Sequence, residues 1–110
     1  MPRDSLGDFE KLVLLAILRL DKEAYGAPIL DEIERRTGRS ASSGTLYVAL
    51  RRLEEKGLLT SRFGDPTPER GGRAKRYFRL APKAVKMLRE SHRAYHRMAE
   101  GLESTLESGR

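Results

Sequence analysis

Basic side chains are concentrated in the middle of the 110-residue sequence. Residues 41–80 carry nine basic and four acidic side chains, whereas residues 1–40 carry seven basic and eight acidic ones. A local excess of positive charge is typical of a surface that binds a polyanion such as nucleic acid. It is equally typical of a solvated surface that only keeps a protein soluble. Charge alone therefore leaves both interpretations open.

The side chains that could contact nucleic acid fall into two groups. In the first, short polar residues precede Tyr47 and Arg51, which lie one helical turn apart and can point the same way. Small residues at a helix N-terminus suit a phosphate, and arginine is the commonest reader of guanine. In the second, cations surround a Gly-Gly pair that lets the backbone approach a duplex. The predicted DNA-binding residues are Ser42, Ser43, Gly44, Thr45, Tyr47, Arg51, Arg70, Gly71, Gly72, Arg73, Lys75 and Arg76.

Other chemistries find little support in the residue types. The sequence has no cysteine, which excludes disulfides, thiolate catalysis and Cys-based zinc sites. Glu54 and Glu55 are adjacent, so on a helix they point to different faces and cannot act together as acid and base. His92 and His96 have a spacing that can hold a metal, but the sequence offers no third ligand nearby. We therefore predict no metal site, no cofactor and no enzymatic activity.

Three helices and a hairpin are predicted to position the candidate residues. Apolar residues at steps of three and four predict helices over Leu6 to Leu20, Ala27 to Thr37 and Ser43 to Lys56. The first is apolar at so many positions that we expect it to be buried on most sides. Leu58 to Arg62 and Lys75 to Leu80 read as two strands separated by turn residues. This order is that of a winged helix-turn-helix, in which the third helix enters the major groove.

A long helix is predicted for the end of the chain. From Lys83 to Glu107 the pattern has a narrow apolar seam, in which Leu88, Tyr95 and Leu102 recur every seven residues. A long helix with so thin a seam needs a partner surface. The residues predicted for a dimer interface are Leu6, Phe9, Leu88, Tyr95, Met98, Leu102 and Leu106.

Length and apolar runs indicate the domain organisation. We expect a mainly α (α+β) protein of one compact unit, with a winged helix-turn-helix part over residues 1–80 and a dimerisation helix over 81–110. The longest uncharged apolar run, Leu12 to Leu18, is far shorter than the ~20 residues of a membrane span. Asp4, Asp8 and Glu10 stand where a signal peptide has basic residues. We therefore expect a cytoplasmic protein that has no membrane partner.

The motifs resemble those of PadR-like transcriptional regulators. The resemblance covers nearly the whole chain, with motifs at the start of the second helix, in the third helix and in the wing, and the single C-terminal helix resembles the family's short subfamily. The sequence departs from the family pattern at Val48, Ala81 and Ala84, where Pro, Thr and Gly are usual. The residues that carry the resemblance are Tyr25-Gly26, Gly44-Thr45-Leu46-Tyr47, Leu50, Leu53-Glu54, Gly57-Leu58, Gly71-Gly72 and Tyr77.

The resemblance implies a homodimeric bacterial repressor that binds a palindromic operator in double-stranded DNA. It also implies that the last helix is swapped across the dimer. A small hydrophobic effector is implied between the two last helices, beside a central aromatic residue, and Tyr95 stands at that position. The alternative is a winged helix that binds another protein without specific DNA binding. The basic balance of residues 41–80 argues against that alternative.

Overall fold

The computed structural model describes residues 6–64 and 74–108. It confirms the predicted order of three helices, two antiparallel strands and a C-terminal helix. None of the helices in the described residues combines the length and apolarity that crossing a membrane requires. The elements are α1 (Asp8–Leu20), a 3₁₀ turn (Asp21–Glu23), α2 (Gly26–Thr37), α3 (Ser43–Glu55), β1 (Leu59–Phe63), β2 (Arg76–Leu80), α4 (Pro82–Ala99) and α5 (Glu103–Glu107).

One hydrophobic core joins the first three helices, the sheet and the start of α4. Leu14 of α1, Ile29 of α2 and Leu50 of α3 are fully buried, and Phe78 of β2 and Leu88 of α4 belong to the same cluster. Burial of one such side chain contributes about 1.5–3 kcal/mol. The core therefore fixes which face of α3 points inward, and with it which face remains exposed.

A backbone hydrogen bond attaches the hairpin to the helical part of the chain. β1 and β2 pair with Ser61 opposite Phe78. The amide of Phe78 also donates to the carbonyl of Ala24, before α2, at 2.9 Å. The amide of Ala81 donates to the carbonyl of Leu58 at the same distance. The second bond continues the pairing of the two strands by one residue pair. A two-stranded ribbon is marginally stable by itself, so the bond to Ala24 helps to hold it against the helical part of the chain.

Asp21 adopts a backbone conformation with positive φ, which is unfavourable for a residue that has a Cβ atom. It follows the last residue of α1 with φ 52° and ψ −110°. Because such conformations cost about 1–3 kcal/mol for residues other than glycine, we predict that Asp21→Gly raises the free energy of unfolding by about 1 kcal/mol. Denaturant titration measures this difference, with Asp21→Ala as the control that keeps a Cβ atom. A glycine variant no more stable than the alanine variant would contradict the predicted strain.

Glu32 is a buried carboxylate on α2. It is 6% exposed and accepts hydrogen bonds from Arg35 and from Arg36 Nε, the latter at 2.5 Å. The hydrogen bond from Arg36 is the main cause that lowers the pKa of Glu32 below its ordinary value of 4.5, against the opposing effect of burial. Because the pKa of Glu32 is lower in the folded than in the unfolded state, its ionised carboxylate stabilises the fold at pH values above the unfolded-state pKa. This stabilisation is lost as the pH falls through the folded-state pKa.

We predict that the free energy of unfolding falls more steeply with decreasing pH in the wild type than in the Glu32→Gln variant. The glutamine variant lacks the ionised carboxylate, so its stability cannot depend on protonation at this position. Denaturant titrations near neutral pH and at about pH 3 measure the two dependences. Glu90 on α4 is exposed and forms no ion pair among the described residues, so Glu90→Gln supplies the control. Identical acid dependences for the wild type and Glu32→Gln would refute the role of this carboxylate.

The C-terminal helix is shorter than the sequence predicts. α4 ends at Ala99, so the prediction of one helix from Lys83 to Glu107 is wrong. Gly101 takes φ +87°, a left-handed conformation in which glycine readily ends a helix, and α5 follows as a separate five-residue helix. The length of α4 is therefore about 27 Å rather than ~37 Å. Leu102 and Leu106, two of the predicted interface residues, lie beyond its end.

The prediction that α1 is buried on most sides is also wrong. Val13 and Ile17 are buried, but Leu15 and Leu18 are 46% and 47% exposed. Periodicity identifies an apolar face, but it does not say whether the same chain covers that face. These two leucines contribute to a surface that α1 shares with α4.

Candidate nucleic-acid interface

α3 begins at a capped turn of small residues. The hydroxyl of Ser42 accepts a hydrogen bond from the amide of Thr45 at 3.1 Å. The first amides of any helix lack partners within the helix, and the helix dipole adds positive potential there. Ser43 and Gly44 are exposed. Phosphate oxygens or base edges can therefore come close to this end of α3.

α3 buries one face and exposes the other. Leu46 and Leu50 lie in the core, while Tyr47 and Arg51 are exposed on the other side. At about 100° per residue, Tyr47 and Arg52 stand at the two edges of the exposed face, about 140° apart, with Arg51 between them. We call this surface the outer face of α3. It comprises Gly44, Thr45, Tyr47, Val48, Arg51, Arg52 and Glu55.

The Tyr47 edge of this face lies beside α2 and the hairpin. A Cβ atom added to Gly26 would stand 3.5 Å from the Tyr47 hydroxyl. Two turns further along α3, Glu54 accepts hydrogen bonds from Arg76 Nη2 at 2.7 Å and from the Ser61 hydroxyl at 2.8 Å. These bonds fix the hairpin against α3. They also pair the guanidinium of Arg76, a predicted DNA-binding residue, with a carboxylate of its own chain.

Lys75 lies at the base of the wing among aromatic rings. Its ammonium stands 4.4 Å from the centre of the Tyr25 ring and donates to the Tyr25 hydroxyl at 3.2 Å. The rings of Tyr25 and Tyr77 meet edge to face at 5.4 Å, and the guanidinium of Arg62 lies 4.9 Å from the Tyr77 ring centre. A cation–π contact leaves the ammonium charged, so exposed Lys75 can still attract a phosphate.

The rest of the predicted wing lies beyond the described residues. Arg70, Gly71, Gly72 and Arg73 belong to the segment between residues 64 and 74, so their contribution stays a prediction. The structure brings together the other predicted DNA-binding residues around α3 and the base of the hairpin.

The residues predicted for the dimer interface divide into two groups. Leu88 is 8% exposed and belongs to the core of its own chain, so its place in the dimer interface stays a prediction. It is buried because α4 folds back on this core at Ala84 and Leu88. Leu6 and Phe9 are half-buried against the same core. By contrast, large exposed fractions of 68%, 81%, 51% and 54% are found at Tyr95, Met98, Leu102 and Leu106.

An open groove runs between α1 and α4. Its volume is about 740 Å³. Adjoining apolar side chains exposed together on a small protein usually mark an interaction surface. We call it the α1–α4 groove, and its apolar lining consists of Leu12, Leu15, Leu18, Val85, Leu88 and Tyr95.

The two histidines lie together on α4. The rings of His92 and His96 are 4.6 Å apart, edge to face, and both side chains are exposed. Within residues 6–64 and 74–108, no three His, Cys, Asp or Glu side chains cluster so that they could hold a metal ion.

Two arginines that are not among the predicted DNA-binding residues lie at or beside the Arg52 edge of α3. Arg39 lies in the turn before α3, and Arg52 follows Arg51 on the outer face. Arg52 could have been found from its position on the helix, one step from a selected residue. Arg39 has no such local signal, because its neighbour Phe9 is 30 residues away in the chain and meets it only in the fold.

Comparison with known proteins decides the family. The profile of the transcriptional regulator PadR-like family matches residues 14–90. The chain belongs to this family. The transcriptional regulator Rv3488 of Mycobacterium tuberculosis is 41% identical over 81 residues, which are 72% of this chain and 69% of that protein.

Solved structures agree with the PadR-like assignment. A PadR family regulator from Eggerthella lenta is similar with a TM-score of 0.65 and 31% identity, covering 88% of this chain and 82% of that one. A PadR-like regulator from Bacillus cereus shares the fold, with a TM-score of 0.70 over 89% and 90% of the two chains at 17% identity. The PadR-like winged helix is thus confirmed. Family membership makes this protein a transcriptional regulator, not an enzyme, which implies DNA-binding regulation.

Proposed function

We propose that this PadR-like regulator is a homodimeric, sequence-specific repressor. The observation that carries the proposal is the outer face of α3, where a capped, small-residue N-terminus and exposed Arg51 stand beside a cationic hairpin. In this reading the N-terminal end of α3 meets base edges in the major groove, and the wing contacts the neighbouring phosphates. A protein of this kind acts on double-stranded DNA, so we place it in the cytoplasm.

The α1–α4 groove supports the homodimer. Leu15, Leu18 and Tyr95 present apolar surface that the described part of the chain leaves exposed. A second copy that laid its own α4 there would cover the corresponding surface on both chains, since a two-fold interface uses the same patch twice. Residues 1–80 then form the DNA-binding part and residues 81–110 the dimerisation part.

A two-fold dimer determines the form of the operator. Its two α3 helices are related by the same axis as the half-sites that they contact. We therefore propose a palindromic operator, with half-sites about one helical turn apart or at a multiple of that spacing.

The same groove supports an effector. Its lining is largely apolar, as in small-molecule sites, and an effector would occupy the part of the groove that the partner's α4 leaves open. We propose that a small hydrophobic molecule binds beside Tyr95 and releases the repressor by shifting the relative position of the two DNA-binding parts.

Selection of duplexes from a random pool tests the proposed function. The purified protein is expected to enrich one inverted-repeat sequence. A reporter promoter containing that sequence is expected to be less active when the protein is present. Enrichment with increased transcription would overturn the repressor assignment. No enrichment above a pool carried through without protein would favour a winged helix that binds another protein.

A further inference from the structure

A second cationic edge borders the outer face of α3, on the side away from the hairpin. An open groove of about 820 Å³ lies there between the start of α1 and α3, and its lining includes Phe9, Arg39, Thr45 and Arg52. Thr45 and Arg52 belong to the edge of α3 about 140° from Tyr47. The groove therefore opens on the same surface as the proposed base-reading residues.

The free positive charge in this groove comes from two arginines. Lys56 also lines it, but its ammonium is paired with Glu10 of α1 at 3.1 Å. In the part of the chain that the structure describes, Arg39 and Arg52 form no ion pair. Asp8 of α1 also lines the groove and forms no ion pair among the described residues, so two guanidinium groups stand against one carboxylate and the lining is net cationic. The two guanidinium groups are available to an external anion.

Arg39 is held in place by contacts at both ends. Its amide donates to the Thr37 hydroxyl at 3.1 Å, which ties its backbone to the end of α2. Its guanidinium lies 5.0 Å from the centre of the Phe9 ring. Phe9 is itself half-buried against the core. A cation–π contact of this kind restricts the long side chain without neutralising its charge.

The geometry of a DNA duplex indicates what lies beside this edge of α3. The major groove is about 12 Å wide and is bounded by a phosphate backbone on each side. A helix lying in it therefore has phosphates along both edges of its exposed face. The hairpin supplies cations at the Tyr47 edge, and cations at the opposite edge would neutralise the phosphates of the other strand.

We propose that Arg39 and Arg52 bind the DNA phosphate backbone at this second edge. Phe9 is a positioning residue that holds Arg39 toward the duplex, rather than part of the dimer interface predicted from the sequence. This inference rests on the proposed function, in which α3 lies in the major groove. Contacts of this type position the protein and do not read the sequence.

The salt dependence of DNA binding tests the two arginines. The variants are Arg39→Gln, Arg52→Gln and, as a matched control for charge, Arg93→Gln on exposed α4. Each is titrated by fluorescence anisotropy against the selected duplex and a scrambled one at several salt concentrations. We expect Arg39→Gln and Arg52→Gln to weaken binding to both duplexes by the same factor. The slope of log affinity against log salt should fall by about one per lost contact. Slopes equal to those of the wild type and the control would overturn the proposal.

A double-variant cycle tests the positioning role of Phe9. Phe9→Leu keeps an apolar side chain but removes the ring. We expect a several-fold uniform loss of affinity in the wild-type background and no further loss in the Arg39→Gln background. Equal losses in both backgrounds, or a sedimenting species reduced to a monomer by Phe9→Leu, would overturn this role.

The outcomes separate this inference from the proposed function. If the wild type prefers the selected duplex and the arginine variants keep its slope of log affinity against log salt, only the phosphate contacts of Arg39 and Arg52 are refuted. A wild type that binds both duplexes equally, with reduced slopes for the variants, refutes sequence-specific repression and keeps the phosphate contacts.

Discussion

Replacing Arg51 by alanine is expected to weaken binding to the selected duplex by about 1–3 kcal/mol, which is about 5- to 150-fold. Arg51 is exposed on the outer face of α3, about 40° around the helix from Tyr47 and about 100° from Arg52. A guanidinium there can donate two hydrogen bonds to one guanine, an arrangement that discriminates against the other bases. Binding to a scrambled duplex should fall much less, because random sites rarely offer that guanine.

Arg51→Lys separates base recognition from charge. Lysine keeps the positive charge but lacks the planar, two-donor geometry of arginine. We expect Arg51→Lys to lose most of the preference for the selected duplex while keeping the salt dependence of the wild type. Anisotropy titrations on both duplexes measure the two effects. If Arg51→Ala weakens both duplexes equally, Arg51 contacts phosphate and does not read a base.

Tyr95→Asp is expected to weaken the proposed dimer by at least about 3 kcal/mol, which is more than a hundredfold in the dissociation constant. Tyr95 is 68% exposed and lines the α1–α4 groove. If a second copy covers that groove, the substitution places a carboxylate among apolar side chains such as Leu15 and Leu18. Sedimentation equilibrium over a range of protein concentrations measures the change.

Two controls make this result specific. Ala94→Asp introduces the same charge at the preceding exposed residue, about 100° around α4, and should leave the dimer intact. Tyr95→Phe retains the ring and should behave like the wild type. If Tyr95→Asp sediments as the wild-type dimer does, Tyr95 lies outside the interface.

The sequence predicted the architecture well because the helices carry strong local signals. Three-residue and four-residue spacing of apolar side chains located α1, α2 and α3 within one or two residues of their ends. The winged order followed from the two short strands and the turn residues between them. Such signals depend only on neighbours in the chain, so no knowledge of the fold was needed.

Features that depend on the fold were predicted less well. The apolar spacing continues past Ala99, so it did not reveal that α4 ends there. Gly101 interrupts the helix by taking a left-handed conformation. Leu88 fitted an interface seam by spacing, but its burial depends on how α4 folds back on the core. Spacing alone cannot distinguish a face covered by its own chain from one covered by a second copy.

The candidate site also combines features that follow from neighbours in the sequence with features that depend on the fold. The capped N-terminus of α3 was predictable because Ser42 and Thr45 are neighbours in sequence. The ion pair that occupies Arg76 depends on Glu54, which is far away in the chain and next to it in the fold. Local pattern therefore located α3 and its capped N-terminus, whereas the charges that remain available beside it could be read only from the structure.

The central claim is that α3 and the wing recognise a specific DNA sequence. The most direct test is a pair of anisotropy titrations of the wild type, on a duplex from upstream of its own gene or from the selection and on a scrambled duplex, at two salt concentrations. The account predicts binding at least about 10³-fold tighter to the specific duplex, with both affinities falling as salt rises. Weak and equal binding to both duplexes would contradict it.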